Sequence, residues 1–175
     1  MAKTPQDAVG LMLMFRNPKP VGILRVRGPL NEHGKPQKWQ NGCQTAVAGK
    51  KEPEDSSYLA TLWREIGEEI CPEFVEVVQE FYRADKLVQL VDREDPVDHM
   101  RITVWGVMLE RATDFDMVTN RLSASGDSFR LIRADEVKDI VDLQKIPPET
   151  GVTDGKIAMF PLPKEAVVEA FAVFG

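Results

Sequence analysis

The sequence predicts a mixed α/β sandwich, on two observations. Apolar runs of strand length alternate with segments whose apolar residues recur at helical spacing. Their order along the chain is strands, helix, strands, helix, helix, which fits an α+β or α/β sandwich better than a regular βαβ repeat. The length of 175 residues suits one domain with a substantial core, so residues 1–175 are read as a single unit.

Val9 to Phe15 is continuously apolar and predicts a buried strand. Asn17-Pro18-Lys19-Pro20 is a turn, because two prolines exclude regular pairing. Gly22 to Val26 is a second strand. Arg27 to Gln40 holds Gly28, Pro29, Asn31, Gly34 and Pro36 and is read as a surface loop. Cys43 to Ala48 forms a short strand ending at Gly49.

Residues 56–70 predict a helix, with Asp55 or Ser56 supplying the N-cap oxygen. Leu59, Leu62, Trp63, Ile66 and Ile70 share its apolar face, and Pro72 lies beyond its end. Strands are expected at Phe74–Tyr82, Leu87–Val91 and Ile102–Leu109, with a polar turn at Asp92-Arg93-Glu94-Asp95-Pro96. The polar stretch Glu110–Asp127 is read as loop. Phe129–Ile132 is a short strand and Ala134–Leu143 a helix. Pro147-Pro148, Gly151 and Gly155 mark a linker before a final helix over Pro163–Phe174, with Pro163 near its first turn.

Composition narrows the function. Hydrophobic residues make up 43% and charged residues 29%, an ordinary globular balance. The net charge of −6 disfavours nucleic-acid binding through bulk electrostatics, though a bound divalent cation can reverse the local field for a small phosphate ligand. No apolar run approaches the roughly 18 residues that span a bilayer, so no membrane segment is expected. The stretch after Met1-Ala2-Lys3-Thr4-Pro5-Gln6-Asp7 is short, is ended by Arg16 and lacks a small-residue cleavage site, unlike a signal peptide. Cys43 and Cys71 lack CxxC spacing and imply neither a disulfide framework nor a zinc set, so a cytoplasmic location is expected. His33 and His99 are too separated to form a metal cluster alone.

The chemistry concentrates in the first helix. On a wheel of about 100° per residue, Glu65, Glu68 and Glu69 share one arc beside the apolar stripe. Like charges at i, i+3 and i, i+4 cost a few tenths of a kcal/mol per pair. Magnesium, a hard cation that prefers oxygen ligands, would remove that cost. Arg64 can pair with Glu68 at i+4. Taken alone, three glutamates read more readily as a solvated acidic face.

The segment from Gly49 through Cys71 resembles the Nudix box, Gly-x5-Glu-x7-Arg-Glu-U-x-Glu-Glu-x-Gly-U, where U is bulky and apolar. Gly49 matches its first glycine, and Arg64-Glu65-Ile66-Gly67-Glu68-Glu69 matches Arg-Glu-U-x-Glu-Glu throughout. Asp55 replaces the first glutamate, eight residues rather than seven separate it from Arg64, and Cys71-Pro72 replaces the late glycine and apolar residue.

The resemblance implies an α/β/α sandwich with a mixed sheet and a hydrolase cleaving a diphosphate linkage in a nucleoside diphosphate derivative. It implies Mg²⁺, or Mn²⁺, ligated by Glu65, Glu68 and Glu69 near the Gly49 backbone, with Arg64 orienting a glutamate. Glu68 or Glu69 is the implied base; Glu110, Asp114, Asp116 and Asp127 are alternatives, because some members take the base from a later loop. A homodimer is possible, as dimers are common in the family. Trp39, Phe81, Tyr82 and Trp105 could stack on a nucleobase, Trp39 and Tyr82 being the substrate-binding candidates, although each reads more readily as core. His99 is read as a strand-end residue. The stretch Asp85-Lys86-Leu87-Val88 lacks the proline that often marks ADP-ribose-cleaving members, and Tyr82 lies too close to the box for the tyrosine of some dinucleoside polyphosphate hydrolases.

Two other readings share the fold. One is a nucleotide binder without turnover, motivated by Asp55 and Cys71-Pro72. The other is an isomerase using a cysteine, faintly suggested by Trp39-Gln40-Asn41-Gly42-Cys43, although Ala48 rather than a cysteine precedes the box glycine.

Overall fold

A computed structural model of the chain describes residues 6–96 and 99–175. Residues 1–5, on which the leader reading partly rests, lie outside the described residues. The apolar run near the start becomes the central strand β1 (Ala8–Arg16), in which seven consecutive residues are buried. Alternation sends Val9, Leu11, Leu13 and Phe15 to one face and Met12 and Met14 to the other. A strand covered on both faces needs such a continuous apolar run.

The sheet around β1 has seven strands and is mixed. β2 (Pro20–Val26) forms an antiparallel hairpin with β1, pairing Leu13 with Ile23. β3 (Cys43–Thr45) continues antiparallel along the end of β2, and β4 (Val47–Lys50) crosses to pair with the first half of β1. β5 (Val88–Glu94) pairs antiparallel with β6 (Arg101–Leu109), which runs parallel to β1. β7 (Ser128–Arg133) covers the other edge of β2.

Helices α1 (Tyr58–Glu69), α2 (Pro72–Arg83) and α3 (Ala112–Ala124) cover the face of Val9, Leu11 and Leu13 through Leu62, Ile66, Phe74, Val78, Val118 and Leu122. α4 (Pro161–Phe174) covers the opposite face through Ala166, Val167 and Ala170. β8 (Val141–Asp142) and β9 (Ala158–Met159) make a small parallel pair. Beside them, Leu143, Val152 and Ala158 form a third cluster that holds Trp39.

Several sequence expectations are corrected. Phe74–Tyr82 lies within α2 and is not a strand. Pro72 opens that helix at its first turn, where a missing N–H costs nothing. Phe74, Val78 and Phe81 then fall on one helical face, which outweighs the strand preference of Val75, Val77 and Val78. Burying Phe74 contributes about 2–3 kcal/mol to this packing.

Glu110–Asp127 is mostly α3 rather than loop. Phe115, Val118 and Leu122 form its apolar stripe, and Phe115 packs on Phe15 with ring centroids 4.5 Å apart. Ala134–Leu143 is a 3₁₀ turn over Ala134–Asp139 followed by β8, not an α-helix. The 92–96 turn begins later than expected, since β5 runs to Glu94. Among the described residues no helix is long and apolar enough to cross a membrane.

Candidate active site on the first helix

The site is built where β4 hands over to α1. Gly49 pairs with Val9 in the sheet and faces the buried side of α1. A Cβ at Gly49 would collide with the Glu65 carboxylate, so this position needs glycine to let the acid approach the strand. Glu65 is 9% exposed, and burial raises its pKa against the opposing pull of Arg64.

Ser57 caps α1, accepting from Ala60 N at 3.0 Å; neither Asp55 nor Ser56 takes the cap role. Asp55 instead anchors Arg64. Its Oδ1 accepts from Arg64 Nε at 3.1 Å, and its Oδ2 accepts from Arg64 Nη2 at 3.0 Å. Oδ2 also takes Glu52 N and Thr61 Oγ1, both at 2.9 Å. The Arg64 guanidinium thus holds the Asp55 carboxyl well below the usual carboxylate range. The longer Asp55–Arg64 spacing does not part the pair, because Asp55 reaches back from the loop.

Arg64 distributes its remaining donors over the site. Nη1 donates to Glu65 Oε1 at 2.9 Å and lies 3.3 Å from Glu68 Oε2. Nη2 also donates to the Lys50 carbonyl at 2.9 Å. A planar fork with five donors can do this; a lysine cannot. Glu68 is exposed, whereas Glu69 is half-buried and turns to the strand, accepting from Ala48 N at 2.9 Å. Burial pushes the Glu69 pKa up to about 7, against the opposing effects of Arg25 and the Ala48 amide.

Arg25 escaped the sequence reading. It is 6% exposed, donates from Nε to the Ala46 carbonyl at 3.1 Å, and pairs through Nη1 with Asp127 at 3.1 Å. Arg25 and Glu69 therefore grip the same short backbone, residues 46–48. The available signal was a charge inside the otherwise apolar run Ile23-Leu24-Arg25-Val26.

The other candidates are placed differently. Asp127 joins the site through Arg25. Asp114 is buried and paired with Arg111 at 3.0 Å on α3, while Glu110 and Asp116 are exposed. Trp39 donates to the Ile146 carbonyl at 2.9 Å and meets Phe160 edge-on. Tyr82 is 48% exposed and packs edge-on against Trp63. Phe81 and Trp105 belong to the core, and His99 lies just before β6, paired with Glu94. Cys43 is buried on the α4 face, where burial pushes its thiol up to about 11. That face also carries a cleft of about 490 Å³ lined by Cys43, Asn41, Arg130 and Lys156, away from the box glutamates.

Among the described residues no three His, Cys, Asp or Glu side chains are already gathered as a metal cage. Glu65 and Glu68 both turn to Arg64, and Glu69 to the Ala48 amide. The donor chemistry nonetheless suits a hard cation: three carboxylates on one helix, one of them desolvated against a glycine that leaves it room.

No protein-family model matches the chain, and no curated protein matches it. Solved structures similar to it include a mutT/nudix family protein from Listeria innocua, with TM-score 0.57 and 14% identity over 98% of this chain and 96% of that one. They also include a protein of Deinococcus radiodurans (TM-score 0.48, 14% identity, 77% and 71% covered) and a Nudix hydrolase from M. smegmatis (0.39, 14%, 96% and 87%). At this identity the Listeria structure speaks to architecture and not to chemistry. This chain has a Nudix-type fold, an α/β/α sandwich on a mixed sheet.

Proposed function

We propose that the protein is a Mg²⁺-dependent hydrolase that cleaves a diphosphate linkage in a nucleoside diphosphate derivative. The observation that carries this reading is the buried Glu65, packed against Gly49 and gripped by an Arg64 that Asp55 locks in place. Burying a carboxylate is costly unless something uses it. A solvated acidic face needs neither the glycine nor the guanidinium hub.

Glu65, Glu68 and Glu69 would hold the cation, with Mn²⁺ as a substitute. When bound, it neutralises diphosphate oxygens and acidifies water. Arg64 keeps Glu65 and Glu68 on the same side of α1. Glu68 or Glu69 would take the proton of the attacking water. The rest is positioning and charge neutralisation, which phosphoryl transfer chiefly requires.

The experiment is incubation with a panel of nucleoside diphosphate derivatives and Mg²⁺, with products identified by mass spectrometry. Turnover of at least one member, abolished by EDTA, is expected. Tight binding of a member with no turnover of any would favour the second reading, a nucleotide binder, which the pairing of all three glutamates with protein groups supports.

A further inference from the structure

Two arginines beside the box helix have donors that nothing in the protein takes. Arg25 is 6% exposed, and its Nη2 is buried without a hydrogen-bond partner. The Nε of Arg27 is likewise buried and unpaired. No hydrogen bond or ion pair to the Arg27 side chain is present among the described residues; desolvation lowers its pKa, and only the field of Asp127 opposes that. Buried guanidinium donors are expensive to leave unsatisfied.

Their placement is specific. Arg27 N donates to the Gly42 carbonyl, and the Arg27 carbonyl accepts from Asn41 N, so the extended backbone of β2 continues through it. Alternation then puts Arg25 and Arg27 on the side of Ile23, the side covered by α1. Arg25 lies close enough to Glu69 to oppose its pKa rise. The carboxylate of Asp127 accepts from Arg25 Nη1 at 3.1 Å and from Gly28 N at 2.9 Å, and its field reaches Arg27. A guanidinium and a backbone amide converging on one anionic group is the arrangement that also binds phosphate.

We propose that Arg25 and Arg27 form a clamp for the diphosphate of the substrate, at the end of β2 beside the box helix. Asp127 holds the clamp in shape, and the unused N–H groups of the two guanidiniums take phosphoryl oxygens. The inference rests on the hydrolase reading only for the identity of the anion. An acidic chain otherwise repels such a ligand, so two cations at this point decide where it can settle.

The test is calorimetric titration of the full chain with inorganic pyrophosphate, orthophosphate, ADP and adenosine, in Mg²⁺ and separately in EDTA. Pyrophosphate and ADP are expected to bind, adenosine and orthophosphate to bind far more weakly, and added salt to weaken the binding. Arg27→Gln and Arg25→Gln should each raise the pyrophosphate Kd by about tenfold or more. Arg130→Gln, on the opposite face, should leave it unchanged.

Should buried Arg25→Gln fail to fold, half-buried Arg27→Gln decides the matter alone. An unchanged Kd in Arg27→Gln, a loss that follows Arg130→Gln instead, or no binding by the wild type in either buffer overturns the clamp. Weakened pyrophosphate binding in Arg27→Gln, by a chain that hydrolyses no nucleotide, would keep the clamp and remove the hydrolase. Full nucleotide turnover and an unchanged Kd in Arg27→Gln, with Glu68→Gln inactive, would do the reverse.

Discussion

Asp55 and Arg64 are joined by two parallel hydrogen bonds, Nε to Oδ1 at 3.1 Å and Nη2 to Oδ2 at 3.0 Å. Through that pair a loop residue sets the direction of the helix carboxylates. Arg64→Lys keeps the charge but loses the fork, so turnover should fall by about tenfold or more with little change in the CD spectrum. Asp55→Asn should produce a similar fall, and the double variant should lose clearly less than the sum of the two single losses, because the two residues act as one unit. Steady-state kcat/KM for the four proteins checks this; strictly additive losses would show that the pair is not a unit.

Gly49→Ala places a methyl group where the Glu65 carboxylate now sits. Glu65 must move, and overpacking of this kind costs about 1–3 kcal/mol. A lower melting temperature together with weaker Mn²⁺ binding is expected. An unchanged variant in both measurements would mean that the close approach has no function.

Glu69 links the site to pH. Its pKa in the fold, about 7, lies above the ordinary 4.5, so the folded chain holds the extra proton between those values. Stability in EDTA should therefore fall as pH rises from about 4.5 to about 7, by an amount on the order of 1–3 kcal/mol. Glu65, also raised, acts in the same sense. Glu69→Gln should flatten much of this slope and cut turnover at least about tenfold. Melting curves across the pH range decide it, since a slope identical in the variant would place the titration elsewhere.

Cys43 is 2% exposed with its thiol pushed up to about 11, whereas Cys71 is half-buried. Thiolate is the reactive form. Native protein should take up one equivalent of iodoacetamide, at Cys71, and denatured protein two. Cys43→Ala should retain turnover; its loss would revive a cysteine-dependent isomerase.

The sandwich and the box helix were legible because their signals are local. The continuous apolar run Val9–Phe15 has the length and pattern of a doubly covered strand, and Leu62, Ile66 and Ile70 have the spacing of one helix face. α2 was misread because Val75, Val77 and Val78 favour strands locally, and only packing of Phe74 and Val78 against the sheet reveals the helix. α3 was hidden by its polar surface. The departures at Cys71-Pro72 acquired a meaning in three dimensions, since they end one helix and open the next. Arg25, Arg27 and Asp127 were unreadable as a group because Asp127 lies about a hundred residues from the two arginines and comes beside them only after β7 pairs with β2.

Whether the carboxylates of α1 take up a divalent cation is most directly measured by titrating Mn²⁺ into metal-free protein and following free ion by electron paramagnetic resonance. The wild type should bind at least one ion, and Glu65→Gln, Glu68→Gln and Glu69→Gln should each weaken that binding by about tenfold. Equal Mn²⁺ affinity in all four proteins, or no uptake by the wild type, would contradict the assignment of these glutamates.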